Sequence, residues 1–334
     1  MILAGDIGGT NTRVAFFEGA PGALKQVAIE VYPSKQHSGP EEIAGKFLAT
    51  RNQPIEAAAF GIAGPVRDGR SQTPNLPWVV ESTHLAAELK LPAVTLLNDL
   101  EANAHGIAEL GETDFVTLNI GASGAHDNRA MISTGTGLGE AGLLSHPDGS
   151  YEPFPSEGGH CDFAPRNEFE ADLLHYLTAR FQHVSYERVL SGPGLFNIYQ
   201  FLRDTGRNEE PSWLGERIAT HDPSATVSQV GLEGGAEICV RALDVFVAIY
   251  GAEAGNLALK MMSLGGVFIG GGIAPKILAK LRGPAFLDAF TAKGRVSALV
   301  QGMPVRVITN DKTALLGAAR VATLAAARAR VRGS

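Results

Sequence analysis

Short apolar runs ending in glycine-rich turns constrain this chain most, and they recur at Gly8-Gly9, Gly135 to Gly139, Gly158-Gly159 and Gly270 to Gly272. In the first, Ile2-Leu3-Ala4-Gly5-Asp6-Ile7 leads into Gly8-Gly9 and the small polar residues Thr10-Asn11-Thr12. Val14-Ala15-Phe16-Phe17 then resumes the apolar pattern. That reads as strand, tight turn, strand. Without a Cβ, Gly8 and Gly9 can adopt positive φ and let backbone N–H groups approach a bulky anion. Thr10 and Thr12 can add hydroxyl donors, and Asp6 stands where it can hold a metal-bound water. The same residues also suit a plain hairpin with a solvated aspartate. Four such turns, each flanked by hydroxyl, amide or acidic residues, point to backbone wrapped round a polyphosphate and a polar substrate. Neither standard nucleotide fingerprint fits: no glycine-lysine-serine/threonine loop occurs, and Gly135 to Gly139 has the wrong spacing for a dinucleotide fold.

At 334 residues the chain is too long for one ordinary core, so two domains are expected. No low-complexity linker separates them, which suggests tightly joined domains with a cleft. The net charge of −7 argues against nucleic-acid or anionic-membrane partners. The basic cluster Arg328, Arg330 and Arg332 suits a solvated helix end. Two cysteines, Cys161 and Cys239, make neither a disulfide framework nor a thiolate zinc cluster, and both read as small buried side chains. No run of eighteen apolar residues occurs and the start lacks a signal-peptide pattern, so a cytoplasmic protein is expected.

Along the chain, strands are expected at Ala23 to Tyr32, Ala57 to Pro65 (ending in a glycine turn) and Ala93 to Leu97, with helices at Glu41 to Thr50, Ser82 to Leu89 (Ser82 as N-cap) and Glu101 to Leu110. This alternation requires a mixed sheet covered on both faces. The pattern begins again at Asp114, with strands at Phe115 to Ile120, Arg129 to Ser133 and Glu140 to Ser145, so a structural echo of the first hundred residues is suspected. Helices follow at Glu168 to Phe181 and, as one or two, across Thr226 to Met262. After the strand Gly265 to Ile269, a helix is expected from Pro275. Val305 to Ile308 is a last strand, and Lys312 to Arg328 a last helix.

Asp99, after Asn98 at the carboxyl end of an apolar strand, is the candidate general base, with Asn98 placed to hold a neighbouring hydroxyl. Asp99 serves equally as N-cap of the helix from Glu101. Glu157-Gly158-Gly159-His160 sets an acid and an imidazole around flexible glycines, which suits vicinal sugar hydroxyls or a simple turn. By themselves Glu187 reads as a helix-surface carboxylate and Asn75 as a turn residue.

Together these segments resemble bacterial glucokinase of the ATP-dependent, hexokinase-like type, within the actin/sugar-kinase/heat-shock ATPase superfamily. The carrying residues are Gly5-Asp6-Ile7-Gly8-Gly9-Thr10-Asn11, Leu97-Asn98-Asp99, Ser133 to Gly139, Glu157-Gly158-Gly159-His160, Glu187 to Gly194 and Gly265 to Gly272. The resemblance covers nearly the whole chain in order. The related repressor/open-reading-frame/kinase family carries a cysteine-rich zinc motif after its histidine. Only Cys161 stands there in this chain, so no zinc site is expected.

The resemblance implies an α/β protein of two ribonuclease-H-like domains with mixed sheets flanked by helices and the active-site cleft between them. The small domain would comprise residues 1–110 plus the C-terminal helix 312–330, and the large one residues 111–311. It implies transfer of the γ-phosphate of ATP to the 6-hydroxyl of glucose, the first step of glycolysis, with Asp99 as base and Asn75, Asn98, Asp99, Glu157, His160 and Glu187 binding the sugar. Gly5, Asp6, Ile7, Gly8, Gly9, Thr10, Thr134, Gly135, Thr136 and Gly137 would cradle the phosphates. Gly270, Gly271 and Gly272 would lie by the adenosine, and Asp6 would hold Mg²⁺ through water. A homodimer is implied by family habit. The alternatives are a kinase for fructose or mannose, or a non-catalytic sugar-sensing regulator. Against the regulator, the first strand begins at Ile2 and leaves no room for a DNA-binding helix pair.

Overall fold

The computed structural model describes residues 1–51, 53–73, 76–122 and 127–332, apart from the side chain of residue 332. Asn75 lies outside the described residues. The chain forms two compact bodies, Met1–Asp114 with Pro153–Pro155 and Asn310–Ser334, and Phe115–Glu152 with Ser156–Thr309.

The first body opens with β1 (Ile2–Ile7), β2 (Asn11–Glu18) and β3 (Lys25–Pro33), then α1 (Pro40–Ala49) and β4 (Ala57–Ile62). A small sheet of β5 (Val66–Arg67), β6 (Arg70–Gln72) and β7 (Val79–Glu81) precedes α2 (Ser82–Leu89), β8 (Val94–Asn98) and α3 (Asp99–Gly106). The main sheet runs β3-β2-β1-β4-β8: β1 to β3 form an antiparallel meander, and β4 and β8 lie parallel to β1. Alternation along the strands sends Leu3, Ile7, Val14 and Phe16 to one face, against Ile43, Phe47 and Leu85 of the helices. Ile2, Ala4, Ala15 and Phe17 face the C-terminal helix. Ser82 is the first residue of α2 rather than its cap, and Glu81, which precedes it, caps nothing with its side chain.

The second body contains β9 (Phe115–Asn119), β10 (Arg129–Thr134), β11 (Leu138–Ser145), the ends of β12 (Tyr151–Ser156), α4 (Glu168–Thr178), α5 (Gly192–Asp204), α6 (Ser212–Thr220), α7 (Pro223–Glu233) and α8 (Glu237–Met261). It continues with β13 (Val267–Gly270), α9 (Leu278–Leu281), α10 (Pro284–Thr291), α11 (Ser297–Gln301) and β14 (Val305–Ile308). Its sheet runs β12-β11-β10-β13-β14-β9, with β11 antiparallel to β10 and β13 and β14 parallel to it. The suspected echo is therefore real in topology: each sheet begins with an antiparallel pair and extends through two strands parallel to the first. The expected helical stretch 226–262 is two helices, separated where Gly234 takes φ +69°. The helix expected from Pro275 starts only at Leu278, because the Ile273 N–H is tied back to the Thr134 carbonyl at 3.2 Å and residues 271–277 turn instead.

The chain then returns to the first body as α12 (Thr313–Arg332). Its alanine face (Ala318, Ala319, Ala322) packs on the first sheet with Leu315. Against α3 the backbones nearly touch: a Cβ on Gly317 would stand 1.7 Å from the Ala102 carbonyl oxygen, and one on Gly106 would stand 2.0 Å from that of Thr313. Among the described residues no helix is long and apolar enough to cross a membrane.

Candidate active site

In the first body the register of the parallel strands brings Ile7, Ile62 and Asn98 to one edge of the sheet. Ligands of open α/β sheets gather beyond such carboxyl ends. The turn after β1 is tight: the Gly8 N–H donates to the Asn11 carbonyl at 3.0 Å, and a Gly8 Cβ would lie 2.9 Å from that oxygen. Neither Gly8 nor Gly9 uses positive φ, so close approach rather than a left-handed backbone explains Gly8. Gly5 answers to packing, since the Phe60 ring fills the space its Cβ would take. Ile7 is a core side chain, leaving only its backbone to face a ligand. Thr10 is exposed. Thr12, expected as a donor, is fully buried, and its hydroxyl bonds that of Ser34 at 2.9 Å. Ser34 in turn donates to the Gly8 carbonyl at 2.7 Å, bracing the turn from behind.

Asp6 stands directly opposite Arg13 across the β1–β2 ladder, and Arg13 also holds Asp311 at 2.7 Å. Burial pushes the Asp6 carboxyl up to about 6; Arg13 opposes the rise, and the charges of Asp99 and Asp311 add to it. At the end of β8, Asn98 rather than Asp99 caps α3: its Oδ1 accepts from the Leu100 N–H at 2.9 Å, and its Nδ2 donates to the Gly64 carbonyl at 2.9 Å. Asp99 is the first helical residue, half-buried, and its Oδ1 accepts from the same Leu100 N–H at 2.9 Å.

In the second body Ser133 pairs with Gly270 across the parallel strands, so the turns after β10 and β13 lie side by side. Gly271 takes φ +86°, and a Cβ there would lie 2.1 Å from the Thr134 carbonyl. A Gly270 Cβ would meet the Met131 side chain, whereas Gly272 faces open space. Thr134 is fully buried, and its hydroxyl donates to Tyr250 at 3.3 Å. The outward face of the turn therefore belongs to Gly135, exposed Thr136 and Gly137.

The turn Glu157-Gly158-Gly159-His160 winds as one 3-10 segment with Glu157 and His160 exposed and both glycines buried. His160 Nε2 and Glu157 Oε2 are 4.0 Å apart. Cys161, expected to be buried, is exposed beside this turn, while Cys239 is buried in α8 as expected. Backbone bonds from Tyr186 N–H to the Cys161 carbonyl (3.0 Å) and from Phe163 N–H to the Val184 carbonyl (2.9 Å) lace this segment to the turn Tyr186–Arg188. His160 and Glu187 thus line one polar cavity of about 400 Å³ together with His183, Ser185 and Arg188. Glu187 is no surface carboxylate: its Oε2 accepts the Leu138 N–H at 3.0 Å and fills the space of the missing Gly137 Cβ. That contact joins the turn Tyr186–Arg188 to the turn Gly135-Thr136-Gly137, and only the second glycine of the latter hints at it in the sequence.

The glucokinase family model matches residues 3–325. A glucokinase of Nostoc sp. is 42% identical over 335 residues, covering 96% of this chain and 98% of that protein. The crystal structure of a glucokinase from an Antarctic psychrotroph superposes with a TM-score of 0.85 at 30% identity, over 96% of this chain and 98% of that one. A ROK-family glucokinase from Streptomyces griseus, in complex with glucose and AMPPNP, shares the fold with a TM-score of 0.65 at 21% identity, over 97% and 99%.

Proposed function

The chain belongs to the glucokinase family and is an ATP-dependent sugar kinase, and on that premise we propose which residues carry the transfer of the γ-phosphate of ATP to the 6-hydroxyl of glucose. Phosphoryl transfer asks the protein for positioning and charge stabilisation rather than covalent help. Asp99 takes the proton of the attacking hydroxyl, and its setting at the carboxyl end of β8, braced by Asn98, supports that role. Glu157, His160 and Glu187 accept and donate hydrogen bonds to the sugar hydroxyls, with Asn98 and Asn75 as further ligands. Backbone N–H groups of residues 8–10 and 135–137 hold phosphate oxygens, and Gly270 to Gly272 lie by the adenosine. The glucose and AMPPNP of the Streptomyces griseus complex support this pair of substrates.

Asp6 fits a water-mediated Mg²⁺: its half-buried carboxyl is raised by burial and by neighbouring negative charge, a setting that a dication relieves. When bound, the metal supplies charge neutralisation for the triphosphate. We place the enzyme in the cytoplasm as a homodimer, supplying glucose 6-phosphate to glycolysis.

The observation that carries this reading is the family match from residue 3 to residue 325, which spans every residue named. A coupled ADP-release assay with glucose, fructose and mannose tests it. The expected result is a kcat/KM for glucose at least tenfold above the other hexoses. Equal turnover of fructose or mannose, or no ADP release with any hexose, would overturn the assignment.

A further inference from the structure

Behind the cavity lies a buried polar network that the transfer reaction does not use. Glu140 of β11 is 1% exposed and Glu253 of α8 is 0% exposed. The two carboxyls are close enough to feel each other, and the charge of Glu253 helps raise that of Glu140. Glu140 Oε1 is one of the few buried polar atoms among the described residues that lack a partner. Glu253 is well supplied: Lys260 Nζ lies 3.3 Å from Oε1, and Asn256 Nδ2 donates to Oε2 at 2.8 Å. Glu253 thus has the cation and the amide that suit a carboxylate, whereas Glu140 lies buried with Oε1 unpartnered.

The network reaches both turns that line the cavity. On one side, Glu140 Oε2 sits 2.0 Å from where a Gly158 Cβ would stand, so the carboxyl packs directly on the backbone between Glu157 and His160. On the other side, Asn256 Nδ2 also donates to the Tyr186 hydroxyl at 3.1 Å, and Tyr186 immediately precedes Glu187. Lys293 Nζ fixes the Asn256 amide by donating to its Oδ1 at 2.7 Å and to the Ala252 carbonyl at 2.8 Å. Replacing a buried ion pair with apolar residues is often neutral or stabilising, so the contact of Glu253 with Lys260 is little accounted for by stability alone.

We propose that Glu140 and Glu253, whose buried carboxyls back onto the two turns, are positioning residues that hold the turns Glu157–His160 and Tyr186–Arg188 in place for the sugar. This rests on reading those turns as the sugar site. The groups facing the pair are Tyr250 and Lys260 from α8, Tyr186 from the second turn and Lys293 beyond α10, with Arg166 behind Lys293. When Glu140 loses its proton, Lys260 is the near cation set against two carboxylates. Burial first, and the charge of Glu253 second, push the Glu140 carboxyl up to about 8. The turns should then lose their hold in mildly alkaline solution.

The test is calorimetric glucose binding without nucleotide from pH 6.5 to 9.5. Wild-type affinity should fall about tenfold between pH 7 and pH 9, as for a single ionisation near 8 in which only the protonated form binds. Glu140→Gln, which keeps a neutral donor at every pH, should bind as tightly as wild type at pH 7 and show a flat profile. If that variant does not fold, Glu253→Gln serves: without the neighbouring charge, the alkaline loss should begin at lower pH. A flat wild-type profile, an alkaline loss unchanged in Glu140→Gln, or one unmoved in Glu253→Gln would overturn the proposal. His160→Ala and Glu157→Gln should weaken glucose binding at every pH. If they bind like wild type, the sugar-site reading fails instead.

Discussion

Replacing Asp6 by asparagine separates the cost of an acid at the first turn from its use. In the ligand-free fold the Asp6 carboxyl is raised from an ordinary 3.8 to about 6, chiefly by burial. A raised carboxyl contributes its stability in full below 3.8, and that contribution is lost as pH rises through 6. Above both values the ionised side chain costs the fold about 3 kcal/mol, at about 1.4 kcal/mol per pH interval, and about half of that remains at pH 5. Asparagine keeps the shape without the charge. Asp6→Asn should therefore be more stable than wild type at pH 8 by up to about 3 kcal/mol, with the gain halved at pH 5. Urea unfolding followed by far-UV circular dichroism at both pH values, without nucleotide or Mg²⁺, measures the difference. A variant less stable than wild type at pH 8, or a gain independent of pH, would show that the buried Asp6 charge carries no such cost. The same variant should lose phosphoryl transfer, since the cost falls on the residue assigned to the metal.

Two other substitutions probe contacts that only the folded chain reveals. Gly317→Ala places a methyl group 1.7 Å from the Ala102 carbonyl oxygen; pushing α12 off α3 should cost about 1–3 kcal/mol, and a melting temperature within a degree of wild type would contradict that contact. Gly137→Ala drives a methyl group into Glu187 Oε2, 2.5 Å away; glucose KM should rise by about tenfold, in keeping with a lost charge-assisted hydrogen bond, and an unchanged KM would show that Glu187 is not held by that turn.

Much of this arrangement was legible in the sequence because strands end where apolar runs meet glycine, and parallel register then gathers those ends without further instruction. The pairing of Asp6 with Arg13 was not among the legible features, since it needs the exact register of the hairpin. Roles decided by side-chain direction were not legible. Thr12 and Thr134 sit in phosphate-type turns yet point their hydroxyls inward, to Ser34 and Tyr250, because the strand pleat gives them inner positions. Asp99 was the expected cap of a helix from Glu101, but the helix starts at Asp99 itself and Asn98 caps it. Cys161 is exposed because the backbone lacing to Tyr186 holds its segment at the rim of the cavity. Glu140 and Glu253 are more than a hundred residues apart in the chain. Their one local signal is an acid set among small buried neighbours, as in Ala252-Glu253-Ala254-Gly255.

Asp99 is the residue on which the proposed phosphoryl transfer depends most directly. Steady-state turnover of Asp99→Asn, measured beside its calorimetric glucose affinity, isolates the proton transfer from binding. The kcat of the variant should be lower by about 10²–10⁴-fold, the usual contribution of a general base, with glucose still bound within a few-fold of wild type. Turnover above about 1% of wild type would lie outside that range and would contradict the role of Asp99 as the base.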